Sequence, residues 1–154
     1  MNIKQEFRTN GAIGALLDEY ERAISELKMA ISELNPYELE VVVDDTTDDV
    51  DCKSIQTILT HVIQSGYTYA VEIRHWLGEE AEYRDKETFN NSQDYNSALT
   101  QMFNFTETLF NEHPIVELTE FDLNKKIKVR WGQIFDVEQL MQHAIVHILR
   151  HRRQ

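Results

Sequence analysis

Between Gly11 and Leu34 the apolar residues return every three or four positions for about six turns: Ile13, Leu16, Leu17, Tyr20, Ile24, Leu27, Ile31 and Leu34. A stripe of that kind must be buried along one side of a helix, and the simplest cover for it is another helix with its own stripe. The pattern recurs along the chain. Cys52–Leu77 carries Ile55, Ile58, Leu59, Val62, Tyr69, Ala70, Ile73, Trp76 and Leu77. Ser92–Asn111 carries Tyr95, Leu99, Met102, Phe103, Thr106, Leu109 and Phe110. The stretch FDVEQLMQHAIVHILRHRRQ, Phe135–Gln154, carries Val137, Leu140, Met141, Ala144, Ile145 and Ile148. Four long amphipathic helices with little strand and no internal repeat predict an all-α fold, a four-helix bundle, in one domain spanning residues 1–154.

The breaks between these stretches have chemical causes. Asn35-Pro36 ends the first helix, because the residue before proline is biased out of the helical region. Val41–Val43 has the composition of a short extended segment, and Asp44–Asp51 reads as a solvated acidic connection. Its acids lack the glycine and closing glutamate of a calcium loop. Asp51 or Ser54 caps the second helix, within which Gly66 marks a close-packing point. Glu79–Asn91 is a polar loop, and His113-Pro114 stops the third helix. Lys126, Lys128 and Arg130 alternate with Ile127, Val129 and Trp131, the period of an edge strand or extended loop. Asp136 is a helix cap, with Glu138 and Gln139 in the following turn. The long connections after helices one and three leave a simple up-down topology open.

The histidines concentrate on the last helix. Three of the six in the chain, His143, His147 and His151, follow one another at intervals of four. Residues four apart lie one above the other on a helix, close enough to share a ligand. Projected around the axis, His147 and His151 edge the apolar stripe, whereas His143 leans toward solvent. His61, on the inner edge of the second helix, is the natural third partner. His75 lies about 21 Å farther along that helix and faces solvent, and His113 lies in a loop. Three neutral imidazoles make a Lewis-acidic site that lowers the pKa of a bound water or thiol. The plainer alternative is that stacked histidines only solubilise a terminal helix.

Other chemistries find less support. A di-iron carboxylate bundle needs two Glu-x-x-His motifs, and only Glu72-Ile73-Arg74-His75 is present. No paired-cysteine motif suggests a redox or haem role, and no G-x-S-x-G suggests a serine hydrolase. A net charge of −12, from 27 acids and 15 bases, argues against a nucleic-acid surface. Cys52 is the only cysteine, which fits a reducing compartment. No run of 18 apolar residues and no apolar signal core in MNIKQEFRTN indicate a soluble, cytoplasmic protein with no membrane partner.

The run His147-Ile-Leu-Arg-His151-Arg-Arg-Gln154 resembles the fourth-helix signature H-x-x-x-H-R-G-Q of the DinB/YfiT-like superfamily. His61 matches the place of that family's first metal histidine. Trp131-Gly132 and the Asp136-Val-Glu-Gln-Leu140 run before the last helix are also similar to members of it. The resemblance covers the chain in helix order and specific residues at these points. It implies a four-helix bundle holding nickel, zinc or a similar ion on His61, His147 and His151, often as a homodimer. It further implies a thiol-dependent transferase, isomerase or hydrolase-like activity using a low-molecular-weight thiol cosubstrate and an electrophile. Arg153 stands where the family has glycine, and the sequence stops at Gln154, where relatives generally continue the helix for several more turns.

On that reading the metal holds the thiol as thiolate for attack on an electrophile, and Arg150 or Arg152 meets a carboxylate of the thiol. A competing class is a non-catalytic, stress-response binding module whose histidines are dispensable. A third possibility is an apolar ligand held among Tyr69, Trp76, Phe103 and Trp131.

Overall fold

The computed structural model describes residues 6–154, so the first half of the MNIKQEFRTN reading lies outside the described residues. The chain is mainly helical. Its order is α1 (Gly11–Ile31), α2 (Pro36–Glu40), a 3₁₀ turn (Val50–Cys52), α3 (Ile55–Trp76), α4 (Ser92–Glu112), β1 (Ile127–Lys128), β2 (Ile134–Phe135) and α5 (Val137–Arg152). Among the described residues no helix is long and apolar enough to cross a membrane.

The periodic stripes become the core. α1 packs on α4 and α5, and α3 packs on the same two helices, so α1 faces α3 diagonally across the centre. Leu17, Tyr20, Leu59, Ile73, Tyr95, Leu99, Met102, Leu140 and Ile148 are almost wholly buried there. A methyl group on Gly66 of α3 would sit 2.0 Å from Met102 Sδ, so the expected close approach of α3 and α4 is present.

Three local readings change. α1 ends at Ile31, three residues short of Leu34, and Asn35-Pro36 begins a helix. The Asn35 side chain accepts from the Glu38 N–H while Glu38 accepts from the Asn35 N–H, and proline at the first helical position loses nothing. The resulting short α2 buries Leu39 against α3, whereas Val42 and Val43 stay exposed and form no strand. The second long helix begins at Ile55 with Ser54 as its cap, because Asp49 diverts Val50–Cys52 into a 3₁₀ turn. The alternating segment is extended as its period predicts: β1 and β2 form a two-stranded antiparallel hairpin that turns at Gly132, whose φ of 98° suits glycine. Ile127 and Val129 face the core, and the hairpin delivers the chain to the Asp136 cap of α5.

Candidate metal centre

α3 and α5 are neighbours that run in opposite directions, which brings the first turns of α3 beside the last turns of α5. Each helix is fixed at its start by a reciprocal cap, Ser54 with Thr57 and Asp136 with Gln139. With both helices so registered, His61 meets His147 and His151. His61 Nε2 lies 3.0 Å from His147 Nε2, and His147 Nε2 lies 3.2 Å from His151 Nε2. One nitrogen from each ring falls within a group no wider than 4.8 Å. Nitrogens about 2.05 Å from a common ion stand roughly 2.9 Å apart at right angles and 3.3 Å apart at the tetrahedral angle. The two separations made by His147 lie between those values, and the His61–His151 pair lies within 4.8 Å.

The outer nitrogens are also held. His61 Nδ1 lies 3.3 Å from Asp51 Oδ2, and the other Asp51 oxygen pairs with Lys86. His151 Nδ1–H donates to Gln154 Oε1 at 2.6 Å, and the Gln154 amide continues toward Cys52 Sγ at 3.7 Å. Such partners draw the ring proton to Nδ1 and turn the Nε2 lone pair inward, the arrangement common around histidine metal ligands. Burial favours the neutral form of His147 and His61. It pushes the His147 pKa down to about 3, with help from the neighbouring His151 and His61. Burial also lowers His61, against the opposing pull of Asp51.

His143 does not join the three. It sits half-buried one turn before His147, with ring centroids 5.3 Å from Tyr69, 5.5 Å from Phe135 and 6.1 Å from Trp131. Leaning away from the stripe therefore leads it into an aromatic wall rather than into solvent. The wall borders an open cleft of about 300 Å³ that His61 and His147 also line. Ser65, Thr68 and Tyr69 of α3, Trp131 of the hairpin, and His143 and Arg150 of α5 complete it.

The remaining candidates disperse. His75 is exposed, with Nε2 2.6 Å from the Ala81 carbonyl. His113 pairs with Glu79, and the Arg74 guanidinium bonds Glu79 at 2.5 Å and Glu112 at 2.7 Å. That second cluster of possible ligands is thus already filled by a cation, which holds the Glu79 carboxyl below its usual range. Glu72 of the lone Glu-x-x-His motif is buried, accepting from Tyr83 Oη–H and the Arg130 N–H, and so anchors the hairpin. Arg152 pairs with Glu26 of α1, leaving Arg150 as the arginine at the cleft. The four aromatics named for an apolar ligand do not share a pocket: Phe103 packs on Tyr20 in the core, and Trp76 Nε1–H donates to the Lys125 carbonyl.

Two residues beside the imidazoles escaped the sequence reading. Asp51 reads in the sequence as the end of an acidic connection or a cap of the second helix; Ser54 is the cap, and Asp51 turns to His61 instead. Gln154 stood within the quoted signature, but its bond to His151 needs the last turn of α5 in place. Arg153 has φ −82°, so no left-handed backbone requires the glycine that the signature carries there. No protein-family model matches the chain, and no curated protein matches it significantly.

Proposed function

We propose that this chain is a DinB/YfiT-like four-helix bundle and a metal-dependent enzyme, with His61, His147 and His151 holding one nickel or zinc ion. The observation that carries this reading is the convergence of three Nε2 atoms at 3.0 and 3.2 Å with two of the outer nitrogens engaged by Asp51 and Gln154. A neutral three-imidazole site keeps the 2+ charge of its ion, which supplies Lewis acidity to a bound water or low-molecular-weight thiol. The protein's own part is to favour neutral His147 and His61 by burial, fix the tautomers of His61 and His151, and offer one open side. That side is the cleft, where Tyr69, Trp131 and His143 exclude water from a small electrophile or thiol cosubstrate. The ring of four long helices supports the bundle assignment, and the single Cys52 supports a reducing, cytoplasmic setting.

The homodimer implied by the resemblance is proposed to use the α1–α5 face. Ala12, Ala15, Leu16, Ile145 and Val146 form an apolar groove there, and Val146 is 60% exposed. Glu138 near the start of α5 and Arg153 at its end would meet their opposites if a second copy packed antiparallel on the same face.

The rival is a metal-free, non-catalytic module, in which the same spacings serve as N–H···N hydrogen bonds. Elemental analysis of tag-free protein separates the two. Near one equivalent of nickel or zinc is expected in the wild type and in His143→Ala, and none in His147→Ala. Absence of metal from the wild type after incubation with either ion would leave the module as the better reading.

A further inference from the structure

We infer that the cleft beside the imidazoles binds a small organic carboxylate with a flat apolar body, its carboxylate on Arg150 and its body against Trp131 and Tyr69. This deepens the proposed function and rests on it, by naming the substrate class of the same site.

Charge is the first reason. The chain has 27 acidic residues and a net charge of −12, yet no carboxylate lines this cleft. The nearest acid to the imidazoles, Asp51, stands behind His61 and is paired with Lys86. Arg150 is the one formal charge on the lining, and among the described residues its guanidinium has no ion-pair partner. Its neighbour Arg152 is different in both respects, turned to α1 and tied to Glu26. On a molecule this acidic, an anion is repelled from most of the surface, and a cleft with one free guanidinium becomes its preferred landing place.

Shape is the second. Trp131 remains 42% exposed although it caps a hairpin packed on the core, and its ring stands edge-on to Tyr69 at a centroid separation of 5.9 Å. His143 continues the wall at 6.1 Å from Trp131 and lies nearly parallel to His147. These rings give apolar area to a planar body. Ser65 and Thr68 add only neutral hydroxyls. Arg150 follows His147 by less than one turn, so a ligand anchored on it presents its far end along the aromatic wall and its near end to the imidazoles.

The test is an NMR titration of uniformly ¹⁵N-labelled protein, as purified and zinc-incubated, with phenylacetate and with the isosteric neutral phenylacetamide. The indole N–H of Trp131 is expected to shift with phenylacetate while that of Trp76, at the end of α3 and bonded to the Lys125 carbonyl outside the cleft lining, does not. Phenylacetate should bind about fivefold or more tightly than the amide, the equivalent of roughly 1 kcal/mol for one exposed charge pair. Arg150→Gln should reduce that preference to within about twofold, and Arg150→Lys should keep most of it. Equal affinities in the wild type, a preference that survives Arg150→Gln, or an unmoved Trp131 signal would each overturn the assignment. Zinc content measured on the same samples separates the two ideas. A carboxylate preference without zinc keeps the cleft and removes the metal centre, whereas zinc without the preference does the reverse.

Discussion

The side-chain oxygen of Gln154 accepts a 2.6 Å hydrogen bond from His151 Nδ1, three residues earlier on the last turn of α5. His151 is only 7% exposed, and Gln154 is the side chain that meets its Nδ1. The bond selects the tautomer whose Nε2 faces His147 and His61. Gln154→Ala is therefore expected to lower zinc or nickel affinity by about tenfold or more while leaving helicity unchanged. Competition against a chromophoric chelator measures it, and an affinity equal to wild type would remove Gln154 from the site.

Asp51 does the same for His61 from a different segment, at the longer distance of 3.3 Å. Asp51→Asn keeps the size but loses the carboxylate that stabilises the proton on Nδ1. A loss on the order of tenfold in metal affinity is expected, read by the same competition. Lys86→Gln, which frees the other oxygen of Asp51, should change affinity by less than Asp51→Asn.

Acid should unfold the metal-free protein through His147. In the unfolded chain this residue takes a proton as pH falls through 6.5, but in the folded protein burial delays the event to about 3. Between those values the unfolded state binds more protons, so stability present above pH 6.5 is lost as pH falls. The expected loss from His147 alone between pH 7 and pH 5 is about 2 kcal/mol. Urea denaturation of chelator-treated protein at the two pH values gives the number. His147→Ala should flatten the dependence; an unchanged slope would assign it to other groups.

Gly66→Ala sets two effects against each other. Alanine improves helix propensity by about 1 kcal/mol, but its methyl would lie 2.0 Å from Sδ and 2.7 Å from Cγ of Met102, a residue with no exposed surface. Methionine is flexible, yet the core around it is closed, so the clash should win by roughly 1–2 kcal/mol. The midpoint of thermal or urea denaturation should fall; a rise would mean that Met102 has room to move.

Val146→Asp tests the proposed dimer. Val146 lies on the α1–α5 groove and is 60% exposed. Sedimentation velocity should show a dimer for the wild type and a monomer for the variant, at unchanged helicity. A wild-type monomer would set the groove free for another role.

The helices and their buried faces were legible in the sequence because an apolar stripe of period 3.6 is a local property, repeated over enough turns to be unambiguous. Asp136 and Ser54 could be named as caps for the same reason: a cap acts within three residues. His147 and His151 could be paired because one helical turn brings them together. What the sequence did not disclose came from contacts across the fold. His61 could be named as the third partner from its place on the second helix, but its distance to the pair depends on α3 and α5 lying side by side in opposite directions, which the packed core decides. Asp51 looks like its acidic neighbours until the 3₁₀ turn at Val50–Cys52 aims it at His61. Arg150 and Arg152 are two residues apart and alike in chemistry, but that step carries them to opposite sides of α5, one to Glu26 and one to the cleft. Residue type and spacing determined which side chains were able to bind an ion; the tertiary arrangement determined which of them meet, because only burial and neighbouring helices bring distant residues to one point.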